Sequence, residues 1–168
     1  MHELRCHPAT PASRVRSIVA EWNDAAFTFW VDPIDSLLIP ESKPPARTDE
    51  LWRTTCFELF WKPVGSDGYV ELNLSPSSCW AAYAFDGYRQ GMRDLILPHD
   101  PIVERTTSGI RAALDLSDLR RPAHVALTAV IEETDGTKSY WSLAHPPGAP
   151  DFHHPDCFAL KVPAVGNP

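Results

Sequence analysis

The chain is poor in the residues that phosphate-binding and metal-binding motifs are built from. Eight glycines in 168 residues are spread thinly, which leaves no P-loop, no Gly-rich dinucleotide fingerprint and no nucleophile elbow. The four cysteines, Cys6, Cys56, Cys79 and Cys157, form no C-x-x-C pair. A structural zinc site, thioredoxin-like chemistry and disulfides are therefore not expected, and all four read as buried thiols. Positive charge is scarce as well. Fifteen basic against 22 acidic residues give a net charge of −7, with no cluster beyond Arg120-Arg121, so neither nucleic acid nor an anionic membrane is an expected partner. Apolar runs such as Val125–Ile131 are too short to span a bilayer. The N-terminus lacks the positive-then-apolar layout of a secretory signal, since Glu21 interrupts the brief run at Ser17–Ala20, and a cytoplasmic location is expected.

What the chain does have is proline, 17 in all, distributed so as to punctuate short strands and loops rather than helices. Period-two alternation recurs in Cys56–Trp61, Tyr69–Leu74, Trp80–Phe85, Ile110–Leu116, Val125–Ile131 and Ser139–Leu143. Further strands are expected at Leu4–His7, Phe27–Val31, Leu37–Ile39 and Phe158–Val162. Arg14–Trp22 fits a helix or an extended segment, and Ser117–Arg120 fits a single turn. Segments 41–50 and His145–Pro155 read as loops. About ten short strands with turns between them predict one all-β domain over residues 1–168, a two-sheet antiparallel β-sandwich of jelly-roll or immunoglobulin-like type with little helix.

The two runs CFELFW and YVELNL carry the chemistry. Phe57, Leu59 and Trp61 share one side with Val70, Leu72 and Leu74 in their own run. The opposite side carries Cys56, Glu58 and Phe60, then Tyr69, Glu71 and Asn73. Carboxylates and an amide among aromatics suit a binding slot better than a core. A sugar presents hydroxyls at its edges and C–H groups on its faces, and polar groups and aromatic rings meet these respectively. Glu58, Glu71 and Asn73 are the candidate polar contacts, with Trp52, Trp80, Tyr83 and Trp141 as walls. Arg47 is a candidate donor, and His145 or His153 closes the rim. Trp22 and Trp61 read as core. Two other readings of the acidic face stand beside the slot: a structural ion network with Arg47, Arg53 or Arg89, and a plain solvent-facing sheet surface.

The ordered motifs Leu51-Trp52-x-x-Thr55-Cys56-x-Glu58-x-Phe60, Glu71-x-Asn73-x-Ser75-Pro76, Trp80-Ala81-Ala82-Tyr83 and Tyr88-Arg89-x-Gly91-Met92 resemble DOMON-like bacterial proteins, which are related to carbohydrate-binding modules of family nine. Tyr140-Trp141-Ser142-Leu143, His145-Pro146 and Asp151-Phe152-His153 extend the resemblance to the C-terminal part. It implies a β-sandwich that binds a ligand rather than catalysing a reaction, with sugars held between tryptophans in the related modules. Other DOMON relatives bind haem through Met and His, for which Met92 with His145 or His153 are the candidates here. No cofactor, metal or catalytic residue is expected. His145, Asp151, His153 and His154 crowd one loop but match no metalloenzyme spacing. The alternative to sugar binding or haem binding is a glycan-processing enzyme using Glu58 and Glu71 as acid and base. A small-molecule ligand is the expected partner, and the sequence leaves the oligomeric state open.

Overall fold

The computed structural model of the chain describes residues 1–23, 26–119 and 121–164. Arg120, and with it one member of the basic pair and the end of the expected Ser117–Arg120 turn, lies outside the described residues. Twelve strands run in order: β1 (His2–Cys6), β2 (Ser17–Asn23), β3 (Ala26–Asp32), β4 (Cys56–Pro63), β5 (Tyr69–Leu74), β6 (Trp80–Phe85), β7 (Arg93–Asp94), β8 (Ile102–Thr106), β9 (Gly109–Ala113), β10 (Ala123–Glu132), β11 (Lys138–Ser142) and β12 (Leu160–Val162). Among the described residues there is no α-helix, only single 3-10 turns at Ile34–Ser36, Leu51–Arg53 and Pro155–Cys157.

The all-β antiparallel class agrees with the alternation read from the sequence, but the two-sheet sandwich does not. The strands form one continuous, strongly curled sheet in the order β7-β6-β5-β4-β10-β11-β1-β2-β3-β9-β8, with β12 also on β10. The reason lies in β1. Its first residues, His2–Leu4, pair with β2, and its last, Arg5 and Cys6, pair with β11. One strand thus passes from one half of the sheet to the other and joins what would otherwise be separate layers. A similar division occurs on β10, where β12 takes the start and β11 the end of the same edge. The ambiguous Arg14–Trp22 segment resolves as β2, held between β1 and β3.

The curl encloses a large apolar core. Phe27, Phe29, Val31, Ile18 and Leu4 from β1–β3 meet Phe57, Leu59, Trp61, Leu72, Leu74 and Leu127 from the other half. The Phe29 and Phe57 rings are 5.0 Å apart, and Trp22 stands edge-on to Trp61 at 5.8 Å. Each fully buried large side chain contributes about 1.5–3 kcal/mol of transfer free energy, so this face carries most of the stability.

The outer face of β4, β5, β6 and β10 is covered too. Cys56, Phe60, Tyr69, Tyr83, Phe85, Ala126 and Val130 form a second, smaller apolar cluster with Phe152, Cys157 and Phe158 of the late proline-rich loop. That loop is tied down internally, with His154 N donating to Asp151 O at 3.2 Å and Cys157 N to His154 O at 3.0 Å. Where it leaves part of the outer face uncovered, a cavity opens.

Candidate functional site

The ladder decides which side chains meet. Glu58 on β4 stands directly across from Asn73 on β5 and from Thr128 on β10. Glu71 stands across from Phe60 on one side and Tyr83 on the other. Residues opposite one another in an antiparallel pair share a face, so both carboxyls lie on the outer face, diagonal to each other. Thr128 Oγ1 donates to Glu58 Oε2 at 3.0 Å, and Asn73 Nδ2 donates to Glu71 Oε1 at 3.0 Å. Asn73 Oδ1 is buried with no hydrogen-bond partner.

These groups sit under a cavity of about 390 Å³. Its floor is Glu58, Phe60, Glu71 and Val130, and its walls include Trp52, Phe85, Arg89, Met92, Tyr140, Phe152 and His153. Glu58 is only 3% exposed and Glu71 6%, which rules out the plain wet-face reading. The structural ion network is not found either. Arg47 pairs with Asp94 at 2.6 Å, Arg53 with Glu50 at 2.7 Å and Arg89 with Asp151 at 2.7 Å. Among the described residues, no guanidinium is bonded to either buried carboxyl.

Burial therefore dominates their ionisation. It raises the Glu58 carboxyl well above the ordinary range, with the neighbouring Glu71 adding to the shift and the Thr128 bond opposing it. Glu71 is pushed up to about 7 by burial, against the Asn73 bond and the Arg89 charge. At neutral pH this pair holds protons that exposed carboxylates would have lost.

His153 closes one side. Its Nδ1 is 2.7 Å from Tyr69 Oη, which also accepts from the Arg89 amide at 3.2 Å. Its Nε2 lies 3.8 Å from Glu71 Oε2. Burial, with the Arg89 charge, lowers the imidazole to about 4, so His153 is neutral beside Glu71 at neutral pH. Asp151 holds this corner together by accepting from Arg89, from the Tyr88 hydroxyl and from the His153 amide. Burial would raise the Asp151 carboxyl, but its Tyr88 and Arg89 bonds bring it below the usual range.

Of the residues singled out from the sequence, Trp52, Glu58, Glu71 and His153 line the cavity. Asn73 lies beneath, bonded to Glu71. The others are placed elsewhere, for identifiable reasons. Trp80 and Trp141 belong to the inner core, because both fall on the opposite alternation from the carboxyls. Tyr83 shares the outer face, yet its hydroxyl is spent on Asp49 Oδ1 at 2.6 Å. Arg47 lies over the Tyr83 ring at 5.1 Å and donates to the Ala82 carbonyl, fastening the 41–50 loop to β6. His145 does not close the rim: its Nε2 meets the Arg5 carbonyl at 2.8 Å and its ring stands edge-on to His7.

Phe85, Tyr140, Phe152 and Arg89 were missed as lining. For Phe85 a signal existed, since β6 is apolar on both alternations, the mark of a strand covered on both faces, whereas Tyr140 sits on β11 between Ser139 and Trp141, where no such pattern marks it. Phe152 and Arg89 come from loops that only tertiary packing brings in.

The same geometry weighs against the haem reading. Met92 and His153 do border one cavity, but His153 Nε2 faces Glu71 Oε2 at 3.8 Å, and a macrocycle there would lie on two buried carboxyls. Among the described residues, no group of three or more His, Cys, Asp or Glu is placed to hold a metal ion.

No protein-family model matches the chain, and no curated protein is significantly similar to it in sequence. In fold it is similar to a solved structure described as a "putative carbohydrate-binding protein" from Bacteroides uniformis, with a TM-score of 0.59 and 13% identity over 96% of this chain and 85% of that one. At that identity the likeness is one of architecture, spanning nearly the whole curled sheet.

Proposed function

We propose that the outer-face cavity binds a carbohydrate without chemically altering it. The observation that carries this reading is the pairing of two nearly fully buried carboxyls with aromatic walls in one cavity of about 390 Å³, a size within the range of small-ligand sites. The carboxyls engage hydroxyls along a sugar edge, and Trp52 with Tyr140 offers ring faces to its C–H surface. The DOMON-like motifs and the description of the Bacteroides uniformis protein support the same class of ligand.

The test is a saccharide panel read by thermal shift and tryptophan fluorescence. A ligand selective for the native state raises its midpoint, and Trp52, at the cavity wall, reports occupancy. Glu58→Gln keeps the shape of a neutral Glu58, so it leaves the midpoint within a few degrees while weakening saccharide binding at least about ten-fold, equivalent to ~1.4 kcal/mol. Wild-type protein that responds to no saccharide would defeat the reading.

A catalytic reading draws on one observation, two carboxyls diagonal to each other on β4 and β5 and lining one cavity, both raised by burial, the residue types an acid–base pair requires. It predicts sugar release from aryl glycosides, abolished in both Glu58→Gln and Glu71→Gln.

A further inference from the structure

The polar floor of the cavity is rich in acceptors and poor in donors. Glu58 and Glu71 present carboxyl oxygens there, and among the described residues the hydrogen-bond donors fixed to them are Thr128 and Asn73 from below. Asn73 adds an acceptor below the floor. Its residue is fully buried, its nitrogen is committed to Glu71, and its Oδ1 has no partner. Asn73 is directly across the ladder from Glu58, beneath the residues that line the cavity. Buried acceptors in native proteins are almost always satisfied.

The cationic side chain at the cavity, Arg89, is already committed to Asp151 at 2.7 Å. The remaining titratable neighbours are Cys56 on β4, Tyr69 on β5, Tyr83 on β6 and His153 on the covering loop, and at neutral pH none of these carries positive charge. Among the described residues, two carboxyls thus face the cavity with no bonded cation. Around them stand Phe60, Phe85, Tyr140 and Phe152, whose ring faces attract a positive charge. A neutral polyol leaves both carboxyls protonated, whereas an ammonium ion brings the opposite charge that lets a carboxyl ionise at this depth.

Building on the saccharide reading, we propose that the cavity selects a sugar bearing a primary ammonium group, with the ammonium seated between Glu58 and Glu71. The ammonium keeps its protons and donates them to the two carboxyls. The proton it displaces from the carboxyl pair passes to bulk water, so binding is accompanied by net proton release. An N-acetylated sugar has no such charge and one fewer donor, and is discriminated against.

The experiment is calorimetry at about pH 6.5, below the ordinary range of an amine, in two buffers of different ionisation enthalpy. Its ligands are glucosamine, glucose, N-acetylglucosamine and cyclohexylammonium. The expected result is glucosamine binding at least ten-fold tighter than glucose or N-acetylglucosamine, with protons released, and a preference lost in Glu71→Gln or, should that variant fail to fold, in Glu58→Gln. Glucose binding as tightly as glucosamine overturns the ammonium inference and leaves saccharide binding intact. Cyclohexylammonium binding without any saccharide supports the cation seat and overturns the saccharide reading. If none of the four binds, both fall.

Discussion

Glu71 shows how much one carboxyl can reveal when its surroundings are known. Its side chain is held near 7 against an ordinary value of 4.5, chiefly by burial. The folded state therefore keeps a proton that the unfolded chain gives up as pH rises from about 4.5 to about 7. This contribution to stability is fully present below the unfolded value and is lost as pH passes the folded one. Glu58 acts in the same direction. His153 acts oppositely, because its value falls from 6.5 to about 4, so the unfolded chain binds the extra proton and stability rises with pH across that interval. Comparing Glu71→Gln with wild type at each pH cancels the His153 contribution. The variant is expected to gain on wild type as pH goes from 4.5 to 7.5, by about 5 °C in thermal midpoint at the upper end. A gap that stays constant with pH would show that Glu71 titrates normally. Glu133 makes the contrasting case. It is fully buried, but its carboxylate accepts from the backbone amides of Ser13, Arg14 and Val15 at 2.7, 2.6 and 3.2 Å. It has its donors built in, whereas Glu58 and Glu71 leave acceptor capacity turned towards the cavity.

At the scale of elements, the site depends on strands that are buried twice. β4 and β10 present one alternation to the inner core and the other to the cavity cluster, so their register fixes both at once. A slip of one residue would exchange Glu58 for Phe57 or Leu59. The far side of the sheet has its own register pin. A Cβ on Gly109 would lie 1.8 Å from the Phe29 carbonyl oxygen, where β9 runs beside β3. Gly109→Ala is expected to destabilise the fold by about 1–3 kcal/mol through backbone displacement, measured by denaturant titration, while saccharide affinity of the folded fraction is unchanged. Loss of affinity without loss of stability would mean that β9 communicates with the cavity. The loop bearing Arg89 is constrained in a different manner. Arg89 itself adopts the left-handed conformation, φ 52°, and this sparsely populated geometry accompanies its ion pair with Asp151 across the cavity mouth.

On the scale of the whole molecule, one sheet makes two apolar compartments of unequal size. The inner compartment is closed by strands of both halves. The outer one depends on the 150–158 segment and its three apolar anchors, Phe152, Cys157 and Phe158. Local opening follows such asymmetry. Hydrogen exchange is expected to report amides of His154 and Cys157, bonded within the loop, opening at lower free energy than those of β4 and β10, and becoming more protected when ligand binds. Equal protection of loop and central strands would contradict a separately openable cover.

The strand content was legible because period-two alternation is local. Tyr69–Leu74 and Trp80–Phe85 appear in the structure with the ends read from the sequence. The polar side of CFELFW and YVELNL was visible for the same reason. The missed strand β8 buries only Val103 and exposes Ile102, so an edge position erased its alternation. Trp80 and Trp141 were drawn towards the site by residue type, although alternation already placed Trp80 away from Glu71's face. What the sequence by itself determined was an antiparallel all-β chain with an acidic-aromatic strand face, since both follow from side chains two residues apart. Only the tertiary structure decided that β1 would join the halves into one curled sheet, and that a distant loop would roof the acidic face. Those outcomes depend on which edges pair and what packs across them, and burial beneath that roof is what shifts Glu58 and Glu71 and gives the face its chemistry.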